Sequence, residues 1–348
     1  MRRAYAASPG ESALSLNVVS TLLPRLPRSE MDTFRNCLLV GTAITVLVAA
    51  LGFFSVALVA AAFVVPSLVI IYMHDVDAFE DEPVRVLLAT AAWGLVAGAV
   101  FGVVLSAAFG DGFIPAQASA SALALRLVVV PIVAGALMLA GPLVMLPYRN
   151  FNDVLDGATF GAVSAATFTG AQAVAQAADL LKAGPHPGGD TFSWVLRILV
   201  HGVFLPLIAA GGVGATAGAF WSRYRAPARD RARLGLLGNP IVACVALAAL
   251  LIAATAAQVL LQDVVRLVAE ALLAAIALVW LRLVVHLGLL QEARELIEAS
   301  DIQCPNCGRD TPWASFCAEC GVSLRALPRV GSGHRQVGQG ADAGALAP

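Results

Sequence analysis

Residues 77–108 read DAFEDEPVRVLLATAAWGLVAGAVFGVVLSAA. Four acids, Asp77, Glu80, Asp81 and Glu82, stand at the mouth of an apolar run whose only charge is Arg85. A helix rises 1.5 Å per residue, so roughly 20 apolar residues cross about 30 Å of hydrocarbon. This run is long enough. The rest of the chain repeats the pattern, with 59% hydrophobic and 13% charged residues and a mean hydropathy of +0.81. A water-soluble domain of this length could not hide that much apolar surface. Transmembrane helices are predicted at about 36–52, 54–73, 84–108, 121–147, 154–182, 193–221, 239–262 and 264–288. The short alternating segments of a membrane barrel are not seen.

Arginine placement predicts the orientation. Arg2, Arg3, Arg25, Arg28 and Arg35 precede the first span, Arg149 lies between the fourth and fifth, and Arg223, Arg225, Arg229, Arg231 and Arg233 follow the sixth. The alternate loops, around Gly110-Asp111 and Pro185-His186-Pro187, are almost free of Arg and Lys. The positive-inside rule then puts both termini in the cytoplasm, in a multi-pass protein of the cell membrane. No cleavable signal peptide is expected, because SALSLNVVSTLLP is too polar for an apolar signal core. Residues 1–35 read as a cytoplasmic tail, 36–290 as the membrane domain and 291–301 as a helical linker. Residues 302–326 read as a small metal module and 327–348 as a disordered tail.

The metal module rests on CPNCGRDTPWASFCAECG. Cys304, Cys307, Cys317 and Cys320 form two C-x2-C pairs, and four thiolates complete a tetrahedral zinc site. Gly308 and Gly321 follow the second cysteine of each pair, where a knuckle turn favours positive φ. With four protein ligands no position is left for water. One structural Zn2+ per chain is therefore expected, supplying much of the module's folding energy. A disulfide arrangement is disfavoured on the cytoplasmic side. Arg309, Arg325 and Arg329 are too few for a nucleic-acid footprint, and docking to another protein is the preferred role. Cys37 and Cys244 read as small apolar residues within spans. The fold class is thus all-α and polytopic, about eight transmembrane helices plus a C-terminal zinc ribbon.

The opening acids suit the first turn of a helix, with Pro83 at its start and carboxylates facing the positive dipole end. They also belong to a wider pattern. An Asp, an acid-rich E-x-E-P and a later Trp93-Gly94 are followed by FNDVLDGATFGAVSAATFTGAQ (151–172) and RILVHGVFLPLIAAGGVGATAG (197–218). In order and spacing, over about residues 36–260, this resembles the PrsW-type intramembrane protease family. The resemblance implies an eight-span fold that cuts peptide bonds with a metal. Its ligands and base would come from a Glu pair in E-E-x-x-K on the fourth span, a Glu on the fifth and a His on the sixth. A metal of that kind lowers the pKa of a water and a carboxylate takes the proton.

Carried over by position, His201 matches the family His and Asp156-Gly157 its Asp-Gly. The acids do not carry over. VPIVAGALMLAG puts Ala134 and Gly135 at the Glu pair and Met138 at the Lys, and Gln172 stands at the fifth-span Glu. No Asp, Glu or His occurs between Asp111 and Asp153, or between Asp156 and Asp179. Glu270 and His286 on the last span are the remaining ligand candidates. Glu270 lies four residues from Arg266, which favours an ion pair, and His286 is expected at the headgroups.

Other polar residues keep to helical faces. Phe168, Gln172, Gln176 and Asp179 share one face, Asn152 and Asp156 lie a turn apart, and Arg197 and His201 share another face. Gln172 suits a structural hydrogen bond to His201; a pocket gripping a peptide or small ligand is the other reading. Gly157-x3-Gly161-x3-Ala165 and Gly214-x3-Gly218 predict close helix packing. The functional expectation is a non-catalytic PrsW-like pseudoprotease that binds a membrane-protein partner and recruits or reports through the ribbon. The alternatives are an active metal-dependent protease with a rearranged site and a small-solute transporter or channel. A transporter is weakened by the lack of a charged relay and of inverted repeats.

Overall fold

The most sheltered helix carries the weakest apolar signal of the membrane unit. The computed structural model describes residues 31–76, 84–109, 120–148, 151, 153–182, 184, 190–226, 235–298, 301–312, 316–317 and 319–322. Eight long helices carry the chain: α1 Met31–Ala50, α2 Phe54–Val76, α3 Val84–Phe109, α4 Val130–Met145, α5 Val154–Gln176, α6 Leu205–Tyr224, α7 Pro240–Leu260 and α8 Asp263–Glu298. They bear out the all-α polytopic expectation. Counting the segments that lead into α4 and α6, seven of the eight are long and apolar enough to cross a membrane. The remaining helix is α5, which is rich in Ala, Gly and Thr and buried from Val154 through Phe168. Lipid contact selects for large apolar side chains, whereas a helix wrapped by others needs small ones.

Five helices wrap α5. Ser164 Oγ donates to the Met138 carbonyl of α4 at 2.8 Å. Gly157 and Gly161 lie against Ala217 of α6, and Gly288 of α8 against Leu155. Gly170 presses on the Ala62 carbonyl of α2, while Gly94, Gly98 and Gly102 of α3 lie on the backbone of Ser164, Phe168 and Gln172. The predicted glycine faces of α5 and α6 therefore meet each other. The α3 stripe is an additional interface that the sequence reading did not anticipate. Leu88, Val96, Val100 and Val103 on α3 and Val264, Val268, Leu272 and Ile276 on α8 remain exposed, as lipid-facing residues should.

Trp93-Gly94 acquires a packing reason here. The Trp93 indole N–H donates to the Leu137 carbonyl of α4 at 3.0 Å, and Gly94 seats α3 on α5. Asp153 caps α5 in a reciprocal box: the Asp156 N–H donates to Asp153 Oδ1 at 2.9 Å and the Asp153 N–H to Asp156 Oδ2 at 3.2 Å. The Asp-Gly segment thus starts a helix. At the C-terminus of α4, the Arg225 guanidinium donates through Nε and Nη2 to the Leu146 carbonyl, completing an acceptor the helix leaves open.

Two helices are not α-helical throughout. A short helix Ala120–Ala124 and a π-helical turn Leu125–Val129 lead into α4, and a helix Thr191–Leu199 and a second π turn Val200–Phe204 lead into α6. Each π turn runs up to a proline. Pro131 and Pro206 have no N–H, and their rings crowd the carbonyl four residues back. The widened turn accommodates them: the Val130 N–H bonds to the Leu125 carbonyl, and the Leu205 N–H to that of Val200. Each turn carries one ionisable residue, Arg126 or His201.

The described residues divide into two compact units, one reaching Glu298 and the other beginning beyond it. Helix α8 runs unbroken to Glu298, through most of the expected linker. In the second unit β1 Asp301–Gln303 pairs antiparallel with β2 Asp310–Pro312, Ile302 opposite Thr311. The acids Asp77, Glu80, Asp81 and Glu82, Asn152, the side chain of Asp179 and both chain tails lie outside the described residues.

Candidate functional site

Two sites emerge, one in each unit. The first is a cleft of about 550 Å³ in the helical unit. Helix ends build it: Phe101 and Leu105 of α3, Gln172 and Gln176 of α5, Gln258 of α7 and Arg266 of α8 all line it. Both π turns open onto it through Arg126 and His201. Consecutive helices turn around between α3 and α4, α5 and α6, and α7 and α8, so the cleft lies at the pole of those three connections.

The residues singled out by position converge there. Ala134, Met138, Gln172 and His201 all line the cleft, together with Arg197. Gly135 faces α7, where a Cβ would lie 3.0 Å from Leu251 Cδ1. Asp156-Gly157 is the cap of α5 and takes no part. Among the described residues no hydrogen bond joins Gln172 to His201, so the expected structural bond between them is not formed. They face the same space across it. Arg126, Thr169, Gln258 and Gln262 also line the cleft and were missed by the sequence reading. A signal existed: Arg126 and His201 each stand five residues before a proline, Pro131 and Pro206.

The expected Glu270–Arg266 ion pair is replaced. Arg266 instead pairs with Asp263 at 3.8 Å, one turn earlier on α8. Glu270 is fully buried behind the cleft wall, and neither carboxylate oxygen has a hydrogen-bond partner within 3.5 Å. Gln258 and Arg266 are polar neighbours that act on it electrostatically. The Arg266 side chain is drawn to the more exposed acid, whose pairing costs less desolvation. His286 is likewise buried, at 7% exposure, and does not line the cleft.

A catalytic metal does not fit this donor set. Among the described residues the cleft offers one imidazole, His201, and one carboxylate, Asp263, already paired. A hydrolytic site needs three protein ligands and an open position. Among the described residues the only convergence of three or more His, Cys, Asp or Glu ligand atoms is elsewhere, at the four cysteines.

That second site is built by two near-identical knuckles. The Gly308 N–H donates to the Cys304 carbonyl at 2.8 Å and the Gly321 N–H to the Cys317 carbonyl at 2.9 Å. Both glycines have φ near +70°, Gly308 at 70° and Gly321 at 71°, a conformation costly for other residues. The Cys304 and Cys317 N–H groups complete each loop on the carbonyls of Arg309 and Val322. Arg309 Nη1 bridges the two knuckles to Glu319 Oε2 at 2.7 Å.

The sulfurs face one another. Cys304 Sγ lies 3.8 Å from Cys320 Sγ, and Cys307 Sγ 3.8 Å from Cys317 Sγ; all four lie within 4.8 Å. A tetrahedron with Zn–S of about 2.3 Å has edges of about 3.8 Å, so the spacing fits a tetrathiolate metal. Burial opposes ionisation of Cys317, but the N–H groups of Cys320 and Glu319 and the neighbouring thiols outweigh it and bring its pKa to about 6. The Asn306 amide and the Val322 N–H lower Cys320 likewise. Crowding acts in the opposite sense on Cys307. The Arg309 N–H favours its thiolate, yet desolvation and the three other thiols push it up to about 11. Four thiolates this close are stable together only around a cation.

Fold and site define a multi-pass helical membrane protein with a C-terminal four-cysteine cluster suited to metal. No protein-family model, curated protein or solved structure matches the chain.

Proposed function

We propose that this chain is a non-catalytic membrane protein of PrsW-like architecture, which binds a membrane-protein partner and recruits or reports through a cytoplasmic zinc ribbon. In this reading residues 36–290 are the membrane domain, 291–301 the linker and 302–326 the ribbon, with both termini in the cytoplasm. One observation carries it. Four of the five positions that the resemblance assigns to the catalytic centre line one cleft, Ala134, Met138, Gln172 and His201, while Gly135 faces α7; none of the five but His201 offers a metal ligand. The arrangement of the centre supports shared architecture, and its residue types support loss of the chemistry. The four-cysteine unit supplies a rigid module whose four ligands leave no place for substrate.

Co-expression with a single-span membrane protein tests the reading. We expect no cleavage product from the wild-type chain or from His201→Ala. We also expect a co-purifying membrane protein whose recovery falls several-fold in Cys304→Ser. A cleavage product that disappears in His201→Ala would establish a working site and overturn the proposal. Solute flux in liposomes that persists without the ribbon would favour a transporter instead.

A further inference from the structure

Among the described residues, one carboxyl inside the helical unit has neither an ion pair nor a hydrogen bond. Glu270 is fully buried, and both its oxygens are without a partner. Its place on α8 explains the burial. With Ala274, Ala277 and Leu281, which follow at i+4, i+7 and i+11, it forms the stripe that turns into the bundle. Ala277 meets Gly211 of α6, and Glu270 lies two turns nearer the start of α8, about 10 Å along the axis from Asp263. Ionisable residues so placed in a bundle face its interior and mark a bound ion or a relay.

Few ionisable groups surround it. On its own helix Arg266 and Asp263 stand about one and two turns away. Ahead of α6, His201 is within electrostatic reach of both Arg197 and Arg266. From α7 the neighbour is the neutral Gln258, and Cys244, the titratable residue of that helix, lies about four turns further on. Helix α6 has no ionisable group before Arg223, and α5 has Asp156, each at the opposite end of its helix. Arg266 is therefore the natural counter-ion for Glu270. It pairs instead with the more exposed Asp263 at 3.8 Å, and its own Nε is left buried without a partner. Two groups that would attract each other if both were charged are thus one turn apart and both incomplete. A carboxylate out of water and unpaired is far costlier than a carboxylic acid. A neutral acid has no such cost, and it leaves Arg266 to Asp263.

We propose that Glu270 is a proton-binding site. The side chain is held as a neutral carboxylic acid. Loss of its proton to water draws Arg266 from Asp263 to Glu270, which rearranges the cleft wall that Arg266 and Asp263 line. Glu270 itself does not line the cleft, so the assignment stands or falls apart from whether His201 ever holds a metal.

Infrared spectroscopy of the full-length protein in lipid vesicles reads the proton directly. A protonated carboxyl has one carbonyl band, which moves in deuterium oxide and is well separated from the bands of a carboxylate. At neutral pH, where exposed acids are ionised, the spectrum of wild type minus that of Glu270→Gln is expected to show this band. The amide is nearly isosteric with the neutral acid, so Glu270→Gln is expected to fold and to melt with wild type. Asp263→Asn frees Arg266, and the band is expected to fall several-fold as the guanidinium ionises Glu270. A difference spectrum without the band, or with carboxylate bands in its place, would overturn the proposal. So would failure of Glu270→Gln to fold, because a site built for a neutral acid accepts the amide. A band of equal height in Asp263→Asn would show that Arg266 does not move between the two acids and would overturn the coupling to the cleft.

Discussion

Purified full-length protein is expected to carry one zinc ion per chain, and the Cys304→Ser/Cys317→Ser variant none. The sulfur spacing of 3.8 Å along two edges is too long for a disulfide and right for a shared metal. The module around it is too small to fold on burial alone. Among the described residues its apolar cluster consists of Cys304 and Cys317 with Cys307 and Val322 beside them, so the cysteines are central to it. Metal binding in such units supplies about 10–16 kcal/mol at neutral pH, which is effectively the folding energy. Chelation should therefore expose the β1–β2 pair to amide exchange within the dead time while α1–α8 keep their helicity by circular dichroism. A chain ending at Ser300 should contain no metal. Metal retained by that truncation and lost in His201→Ala would locate an ion in the membrane cleft. The cleft would then be a live centre and the non-catalytic reading would fail.

The difference between what was legible in the sequence and what was not follows from the range of the interactions. Apolar runs report directly on spans, and the two C-x2-C pairs on a shared metal site, because both signals are local. The cleft was partly legible: Ala134, Met138, Gln172 and His201 could be aligned by position, and they do share one space. Arg126 was not found, because its role depends on the π turn imposed by Pro131, which rotates the residues before it relative to a plain α-helix. Glu270 looked like a partner for Arg266 from i,i+4 spacing alone. Asp263 at the more exposed end of α8 takes that pairing instead. The centrality of α5 was also hidden. Its small residues lower its apolar signal for the same reason that they allow five helices to surround it, and a one-dimensional pattern reads only the first effect. Gly94, Gly98 and Gly102 show the same problem: their spacing is plain in the sequence, but which helix they face is a tertiary fact.

Gly98→Leu is expected to destabilise the helical unit by about 3 kcal/mol or more, at the upper end of overpacking effects. Any Cβ at this position would collide with the Phe168 carbonyl, a backbone group of the central helix that cannot rotate aside. The neighbouring Gly102 has Ala175 Cβ at 2.7 Å and the Gln172 carbonyl at 2.8 Å from the same hypothetical atom, so α3 cannot relieve the clash by sliding. In a bilayer the loss is not offset by hydrophobic reassociation, because lipid chains solvate a separated helix as well as a neighbour does; close van der Waals packing is what holds the pair. At about 2–4 °C per kcal/mol the melting temperature should fall on the order of 6–12 °C. Ala92→Leu, on the exposed face of the same helix, should change stability by no more than about 0.5 kcal/mol. Displacing α3 also moves Phe101 and Leu105, which line the cleft. The zinc content of the four-cysteine unit should stay at one per chain. Equal melting temperatures for Gly98→Leu and Ala92→Leu would show that α3 does not lie on α5, and the architecture of the cleft would have to be redrawn.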